Sequence, residues 1–427
     1  MSLDSLKRDV AAAIDGMRAE LLDLSHAIHQ EPELALQEFK SAAKLENAVA
    51  RHDIPIQRGA FGLETAYAAE FGKDGGPTIA ILSEYDALPG VGHACGHNII
   101  ATSGLGAAMA LSKLGARLPG RVRYLGTPAE ERFGGKELIA REGAFDGVDA
   151  AMMIHPSNVD LVTMPCIAIA EVEATYHGRA AHASAMPYRG LNALDAVVTA
   201  YQSIAQLRQH IKQSERLHGI ITEGGLAANI VPERASCRFY VRAADIHELG
   251  ELKQRVHGCF QGAALATGTR AEITWGKTDY LDLKTNWPMA DSFMRNAKAL
   301  GREFFPVKEI PAGFAGSTDM GNVSHRVPSI HPMLAVAPAG VIIHNAEFAT
   351  WAASEKGDAA VIDGAKALAM TALDLMSDRG LLDTAKADFA ATADISKSAL
   401  AKLYANHPSD HHGHSHPHGS AGGCGCM

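Results

Sequence analysis

The feature that most constrains this chain is a repeated unit in which a short apolar strand runs into a polar loop and then a helix. The stretches "PTIAILSEYDALPG", "GRVRYLGTPAEE" and "VDAAMMIHPS" each carry a short aliphatic run that ends in a turn or loop. Between them lie two helical patterns, the small-residue segment "IIATSGLGAAMALSKLG" and "GGKELIAREGAF". Strands alternating with helices predict a largely parallel sheet with helices on both faces. Ligands bind such sheets at the carboxyl ends of the strands. The loops "EYDALPGVGHACGHN", "GTPAEE" and "IHPS" should therefore open on one edge. Ahead of them, "ETAYAAEFG" reads as a further strand, and residues 5–30 and 35–52, on either side of the turn "QEPEL", read as a helical pair.

A chain of 427 residues exceeds one ordinary core, so two domains are expected. From residue 171 the pattern changes to strand, helix, strand, strand, helix, strand, ending near "TRAEITWGKTDY". That order is a split βαβ domain of α+β type over 171–283. It would be inserted between residues 1–170 and 284–400 of the α/β parent. The end of the chain, 406–427, holds "HHGHSHPHG" and "CGC"; its low apolar content predicts disorder, and its donors leave two readings open, loose metal binding or an inert end that catalysis does not need.

Composition narrows the function. Hydrophobic content of 47% and charged content of 20% suit a globular protein. The net charge of -9 is spread without long single-sign blocks, which argues against nucleic acid or an anionic membrane as partner and for a small-molecule substrate. No window reaches the eighteen apolar residues of a membrane span, and the acidic amino terminus lacks a signal-peptide core, so a cytoplasmic location is expected. Cysteines at 95, 166, 237, 259, 424 and 426 lack a secreted spacing and should be thiols or metal ligands.

The strand-end loops together supply the parts of a hydrolytic metal centre: His93, Cys95 and His97 from the first, Glu130 and Glu131 from the second, His155 from the third. One glutamate of the adjacent pair can face a cation while the other takes a proton from water. Taken singly, each has a bland reading: His155 as a core histidine, the Glu-Glu pair as solvated surface, Cys95 as a small hydrophobe. Their common position at strand ends is what raises them above it.

These motifs, followed by "GRAAHAS", "NIVPERASCRFYVRA", "GSTDMGNVSHRVPSIHP" and "HNAEF", resemble the metallopeptidase family of carboxypeptidase G, the aminoacylases and the indole-acetyl-amino-acid hydrolases. The resemblance runs from about residue 20 to 380 and is nearest to the branch of aminobenzoyl-glutamate hydrolase and β-alanyl-lysine-type dipeptidases. It implies Cys95, His97, Glu131, His155 and His344 as metal ligands, with the cysteine where relatives use a carboxylate to bridge two metals. It further implies Glu130 as general base, Asp86 as the carboxylate orienting a ligand, and zinc or manganese as one or two ions per subunit. His93 is then a structural group of the turn or a further ligand. His182 would reach the active site of a partner subunit and stabilise the oxyanion, implying a homodimer or larger assembly. Asn229 and Arg242 would hold a substrate carboxylate. The loop "GSTDMGNVSHRVPSIHP", with Asp319, would shape the substrate pocket, and His325 and His331 would pack or support ligands rather than bind the metal.

The activity implied is hydrolysis of an amide in a small carboxylate-bearing substrate: an N-acyl amino acid, aminobenzoyl-glutamate or a dipeptide. Two alternatives stay open on the motifs alone. The same site could release ammonia from an aromatic amine such as nitroanthranilic acid, or the fold could be a metal-binding module without turnover. The presence of Glu130 beside Glu131 speaks against the last, because storage needs ligands but no base.

Overall fold

The structure is a computed structural model and describes residues 2–310 and 315–405. The tail at 406–427 lies outside the described residues. The chain separates into two compact units, one running up to Pro165 together with Leu283–Asp394, the other Cys166–Asp282 with the chain from Ile395.

The first unit opens with helices α1 (Leu3–Gly16), α2 (Arg18–His29) and α3 (Phe39–Arg51). The long first helix expected over 5–30 is thus broken at Met17, where ψ moves to 7° after Gly16. The second begins only at Phe39, because Leu36 takes a left-handed φ of 61° and the Glu38 carboxylate accepts the Leu36 N–H at 2.9 Å. Strands β1 (Ile56–Arg58), β2 (Tyr67–Gly72), β3 (Thr78–Ser83), β4 (Arg121–Gly126), β5 (Ala150–Met152) and β6 (His155–Ser157) follow. Helix α4 (His97–Ser112) joins β3 to β4, and α5 (Gly135–Arg141) joins β4 to β5. The main sheet has the order β1-β2-β4-β3-β5-β11, with β11 (Ser329–Ile330) contributed from late in the chain. Pairs β3–β4, β3–β5 and β5–β11 are parallel, while β1 and β2 form an antiparallel edge. The expected strand "VDAAMMIHPS" is two pieces, and β6 pairs in parallel with β12 (Met333–Ala335), His155 opposite Met333. His155 therefore sits in a strand, and its backbone is held by a ladder.

Alternation along β3 explains why its residues are nearly all apolar. Ile79 and Ile81 enter the larger core beneath α1, α2 and α4, whereas Ala80 and Leu82 enter a second core on the opposite face with Ile139, Met320 and Val323. Helix α4 is buried on all sides from His97 to Leu111, which requires small residues. A Cβ on Gly104 would lie 2.4 Å from Ser83 Oγ and 2.8 Å from the Leu82 carbonyl oxygen. This close approach sets the start of α4, and so His97, beside the end of β3. The unit is completed by helices later in the chain, of which Glu355–Ser377 packs closely against α4.

The second unit is an antiparallel sheet, β10-β7-β9-β8, formed by β7 (Ala168–His177), β8 (Arg216–Glu223), β9 (Arg234–Ala243) and β10 (Arg270–Trp275). Helices α6 (Ala193–Leu207) and α7 (Ile246–Thr267) pack on it around Val172, Phe239 and Phe260. The unit begins at Cys166 rather than 171, and takes in the end of the last helix (Arg379–Ala405) through Ala399 and Leu400, which meet Ile246 and Leu281.

Candidate metal centre

Four chain segments converge at the carboxyl edge of the parallel strands. Glu84, Asp86, Cys95 and His97 follow β3, Glu130 and Glu131 follow β4, His155 opens β6, and His344 comes from a late turn. Gly96, between Cys95 and His97, has φ 76°, and a Cβ there would lie 2.7 Å from Pro156 Cγ. Only glycine meets both demands, a left-handed backbone and contact with the neighbour of His155. His344 also has a left-handed φ of 68°, and its N–H donates to the Ala94 carbonyl at 2.8 Å, tying its loop to the Cys95 loop.

The imidazoles are oriented by second partners. His97 Nδ1 meets Asp86 Oδ1 at 3.2 Å, and Asp86 Oδ2 accepts the Glu131 N–H at 3.0 Å. His155 Nδ1–H donates to the Pro156 carbonyl at 2.7 Å. In both rings the lone pair is thereby left on Nε2. His155 Nε2 lies 3.3 Å from Cys95 Sγ, and His344 Nε2 lies 3.5 Å from the same sulfur and 3.7 Å from Glu131 Oε2. Three donor groups result, each with its ligand atoms within 4.8 Å of one another: Cys95, His97 and His155; Cys95, Glu131 and His344; Glu84, His97 and Glu130. Cys95 is shared by the first two.

The donor set fits a divalent cation on chemistry and on unmet valence. His97 Nε2, Glu131 Oε1 and Glu84 Oε2 are buried and have no hydrogen-bond partner. Such orphaned atoms cost free energy unless a ligand completes them. Burial raises the Cys95 thiol well above its ordinary range and lifts Glu131 to about 7; for Asp86, burial pushes upward but the His97 hydrogen bond prevails and the carboxyl is held low. A cation must displace protons from the raised groups, so metal retention falls as pH drops, and more steeply below about 7, where Glu131 also takes up a proton. Calorimetry in buffers of differing ionisation enthalpy should show proton release on zinc binding, larger at pH 6 than at pH 8.

His93 lies in none of the donor groups; it is buried with its ring 6.0 Å from that of His29. His331 packs edge-on against His155 at 5.3 Å, and His325 is buried nearby in sequence without joining a donor group. Asp319 accepts from Lys136 Nζ at 2.7 Å and from the Lys136 N–H at 2.9 Å. Two residues of the site escaped the motif reading, Glu84 and Lys136. Glu84 stands two positions before Asp86, and on extended backbone such residues face the same side, a signal that was available. No local signal marks Lys136 at the start of α5, where it is fully buried against Glu84 and Asp319.

In the second unit, His182 is exposed, and its Nδ1 accepts the N–H groups of Ser184 at 3.3 Å and Ala185 at 3.2 Å, which leaves the proton on Nε2. The Ala183 N–H donates to the Asn229 carbonyl at 3.0 Å, so His182 and Asn229 are neighbours. Arg242 is not brought to them. It lies at the other end of β9, eight residues beyond Arg234 or about 26 Å at 3.3 Å per residue, with its Nε 3.3 Å from His218 Nε2.

Residues 80–374 match the model of peptidase family M20/M25/M40. The chain belongs to that family. It is 39% identical over 408 residues to the Xaa-Arg dipeptidase of Mus musculus, covering 91% of this chain and 93% of that one. It is 28% identical to a p-aminobenzoyl-glutamate hydrolase chain of Escherichia coli, covering 89% and 94%. In fold it is similar to a Bacillus subtilis protein described as a dinuclear metal binding peptidase of the family, with TM-score 0.60, 22% identity, and coverage of 85% of this chain and 99% of that one. Membership makes the chain a metal-dependent hydrolase of amide C–N bonds. No helix among the described residues is long and apolar enough to cross a membrane.

The local geometry makes one substitution informative. Gly96→Ala places a methyl on the Pro156 ring and forces a left-handed alanine, at a cost of about 1–2 kcal/mol for the backbone alone. Denaturant unfolding should show a loss of at least that size, with weaker zinc retention.

Proposed function

We propose that the chain hydrolyses the amide bond of a small dipeptide or N-acyl amino acid with a free carboxylate, at a centre whose donors would hold two divalent ions, with Cys95 offered to both. The observation that carries this reading is the sharing of one thiol by two separate donor groups. The first ion would be held by Cys95, His97 and His155, the second by Cys95, Glu131 and His344. Zinc suits the sulfur and imidazole donors, and manganese the carboxylates. When bound, the ions acidify water and polarise the scissile carbonyl.

Glu130 takes the proton of the attacking water and passes it to the departing nitrogen. Its carboxyl is raised well above the usual range by burial and by Glu84 and Glu131, which suits a group that must hold a proton between two steps. The loop that carries it is pinned because the Ala129 N–H donates to Glu38 at 2.9 Å with Ala129 at φ 62°. Asp86 keeps His97 in the tautomer that offers Nε2. His182 of the partner subunit would offer an Nε2–H to the developing oxyanion.

One copy of the second unit cannot bring His182 and Asn229 onto the same small molecule as Arg242, since they lie at opposite ends of its sheet. Two copies can. Among the described residues strand β8 is an unpaired edge with Ile220 and Ile221 exposed, and Val198 of α6 is exposed beside that sheet. Antiparallel pairing of β8 with its symmetry mate sets the Arg216 end, which adjoins Arg242, against the mate's Glu223 end, which leads to Asn229. We therefore favour a homodimer in which a substrate carboxylate meets Arg242 of one protomer and the His182–Asn229 loops of the other. Mixing inactive His182→Ala and Arg242→Ala proteins should restore about a quarter of the sites, since half the dimers are mixed and one of their two sites is intact. No restoration would mean that Arg242 and the His182–Asn229 loops do not meet on one substrate across this dimer.

The similarity to a dipeptidase and to an aminobenzoyl-glutamate hydrolase favours amide hydrolysis, and nothing among these relatives supports aromatic deamination. Among the described residues Cys95, Cys237 and Cys259 form no disulfide, which supports a cytoplasmic location, where thiols stay reduced. The test of the activity is a product assay by mass spectrometry. Metal-free protein reloaded with zinc or manganese is given dipeptides ending in Arg or Lys, N-acyl amino acids and aminobenzoyl-glutamate. Release of the free amino acid supports the reading; ammonia without amide cleavage would overturn it.

A further inference from the structure

Glu84 has no place in the two donor groups bridged by Cys95, yet its carboxylate is fully buried and half unsatisfied. Oε1 is bound to Lys136 Nζ, while Oε2 has no hydrogen-bond partner. Oε2 lies 3.4 Å from His97 Nε2, itself buried and without a partner. The same imidazole already has its orienting carboxylate in Asp86, on the other nitrogen.

Two features say that Oε2 is more than a counterion to Lys136. Lys136 carries one positive charge and already has Asp319 at 2.7 Å, so Glu84 leaves the buried trio Glu84, Lys136 and Asp319 with one excess negative charge. An excess anion in a closed interior is costly unless a cation balances it. The spacing also suits shared coordination. Two donors each at 2.1 Å from one ion and about 109° apart stand about 3.4 Å from each other.

We propose that Glu84 is a ligand of the ion held through Cys95, His97 and His155; this rests on the metal-centre reading given above and assigns its two positions different roles. With Glu84 the His97 position has four protein donors, one sulfur, two nitrogens and one oxygen, and all four residues are buried. The other position has three, Cys95, Glu131 and His344, and the His344 side chain is 38% exposed. Closed four-donor positions hold an ion tightly, and three-donor positions keep room for water and substrate. The first ion is thus the resident, structural one and the second the exchangeable, catalytic one. Lys136 and Asp319 are positioning residues, which hold Glu84 by its far oxygen so that the near oxygen can face the ion.

Equilibrium dialysis of the full chain against zinc, with a competing chelator, reads the two affinities. Glu84→Gln keeps the shape and removes the charge. It should weaken the tighter ion by about a hundredfold or more and leave the weaker one within a few-fold. The donors at 406–427 contribute equally to both proteins, and Cys95→Ala measures that background. Cobalt absorption of the tighter ion should change band position and intensity in Glu84→Gln, a signature that a purely structural role would not move. The double variant Glu84→Gln with Lys136→Met separates the roles further. If Glu84 only balances Lys136, the double variant regains wild-type affinity; if Glu84 is a ligand, it does not. Should the variants fail to fold, a zinc-edge diffraction experiment on wild-type crystals decides directly, with Glu84 Oε2 expected about 2.0–2.2 Å from the ion. A distance beyond 3 Å, or unchanged affinities and spectrum in Glu84→Gln, overturns the proposal and leaves the centre intact. If wild type retains no more zinc than Cys95→Ala, the metal-centre reading itself falls, and Glu84 with it.

Discussion

Glu130→Gln is expected to lower amide hydrolysis by about a thousandfold, within the range that general acid–base groups contribute, while metal content stays at the wild-type level. Gln has the volume of Glu and keeps the packing of a residue that is only 6% exposed, but it cannot accept a proton. The carboxylate lies 3.9 Å from His97 Nε2, close enough to face a reaction at the centre. Steady-state kinetics with parallel metal analysis check the result. A simultaneous loss of metal would make Glu130 a ligand. A loss of less than tenfold would move the proton transfer to another group.

Cys95→Ala should have the broadest effect of any single ligand change, because the thiol is the one donor common to both groups. His155→Ala removes a donor from one group, and His344→Ala removes one from the other. We expect Cys95→Ala to lose both ions and its activity to fall to background, whereas His344→Ala retains one ion and His155→Ala weakens the other. Metal analysis after dialysis against a chelator distinguishes these patterns. Independent, equal losses for all three variants would mean that the thiol does not bridge. Cys95→Ser is the informative companion, since a hydroxyl preserves shape but binds zinc far less readily than a thiolate.

The fold and the site differ in how far local sequence reaches. Alternation in "TIAILS" and the small residues of "IIATSGLGAAMAL" specify a doubly buried strand and a helix pressed against it, and both were readable because each depends on neighbours within a few residues. The break at Met17 and the late start at Phe39 were not, because the second depends on Glu38 meeting the Leu36 N–H in a turn that apolar spacing does not record. Among site residues, Cys95, His97, Glu130, Glu131 and His155 stand out by their place at strand ends, and the structure brings them within a few ångströms. His344 came only through resemblance, since nothing around "VIIHNAEF" shows that its N–H will bond to Ala94.

Local sequence carries the alternating architecture, the order of strands and helices in the split βαβ unit and the kinds of donor offered at one sheet edge. Those depend on side-chain periodicity and on residue chemistry, which are local. Only the tertiary structure decided that Glu84 and Lys136 share the interior of the site, that Cys95 stands in two donor groups, and that Arg242 and Asn229 lie at opposite ends of one sheet. Each of these is a matter of distance and burial between segments far apart in the chain. The strength of a charge, and the partners it must find, follow from the water that packing removes.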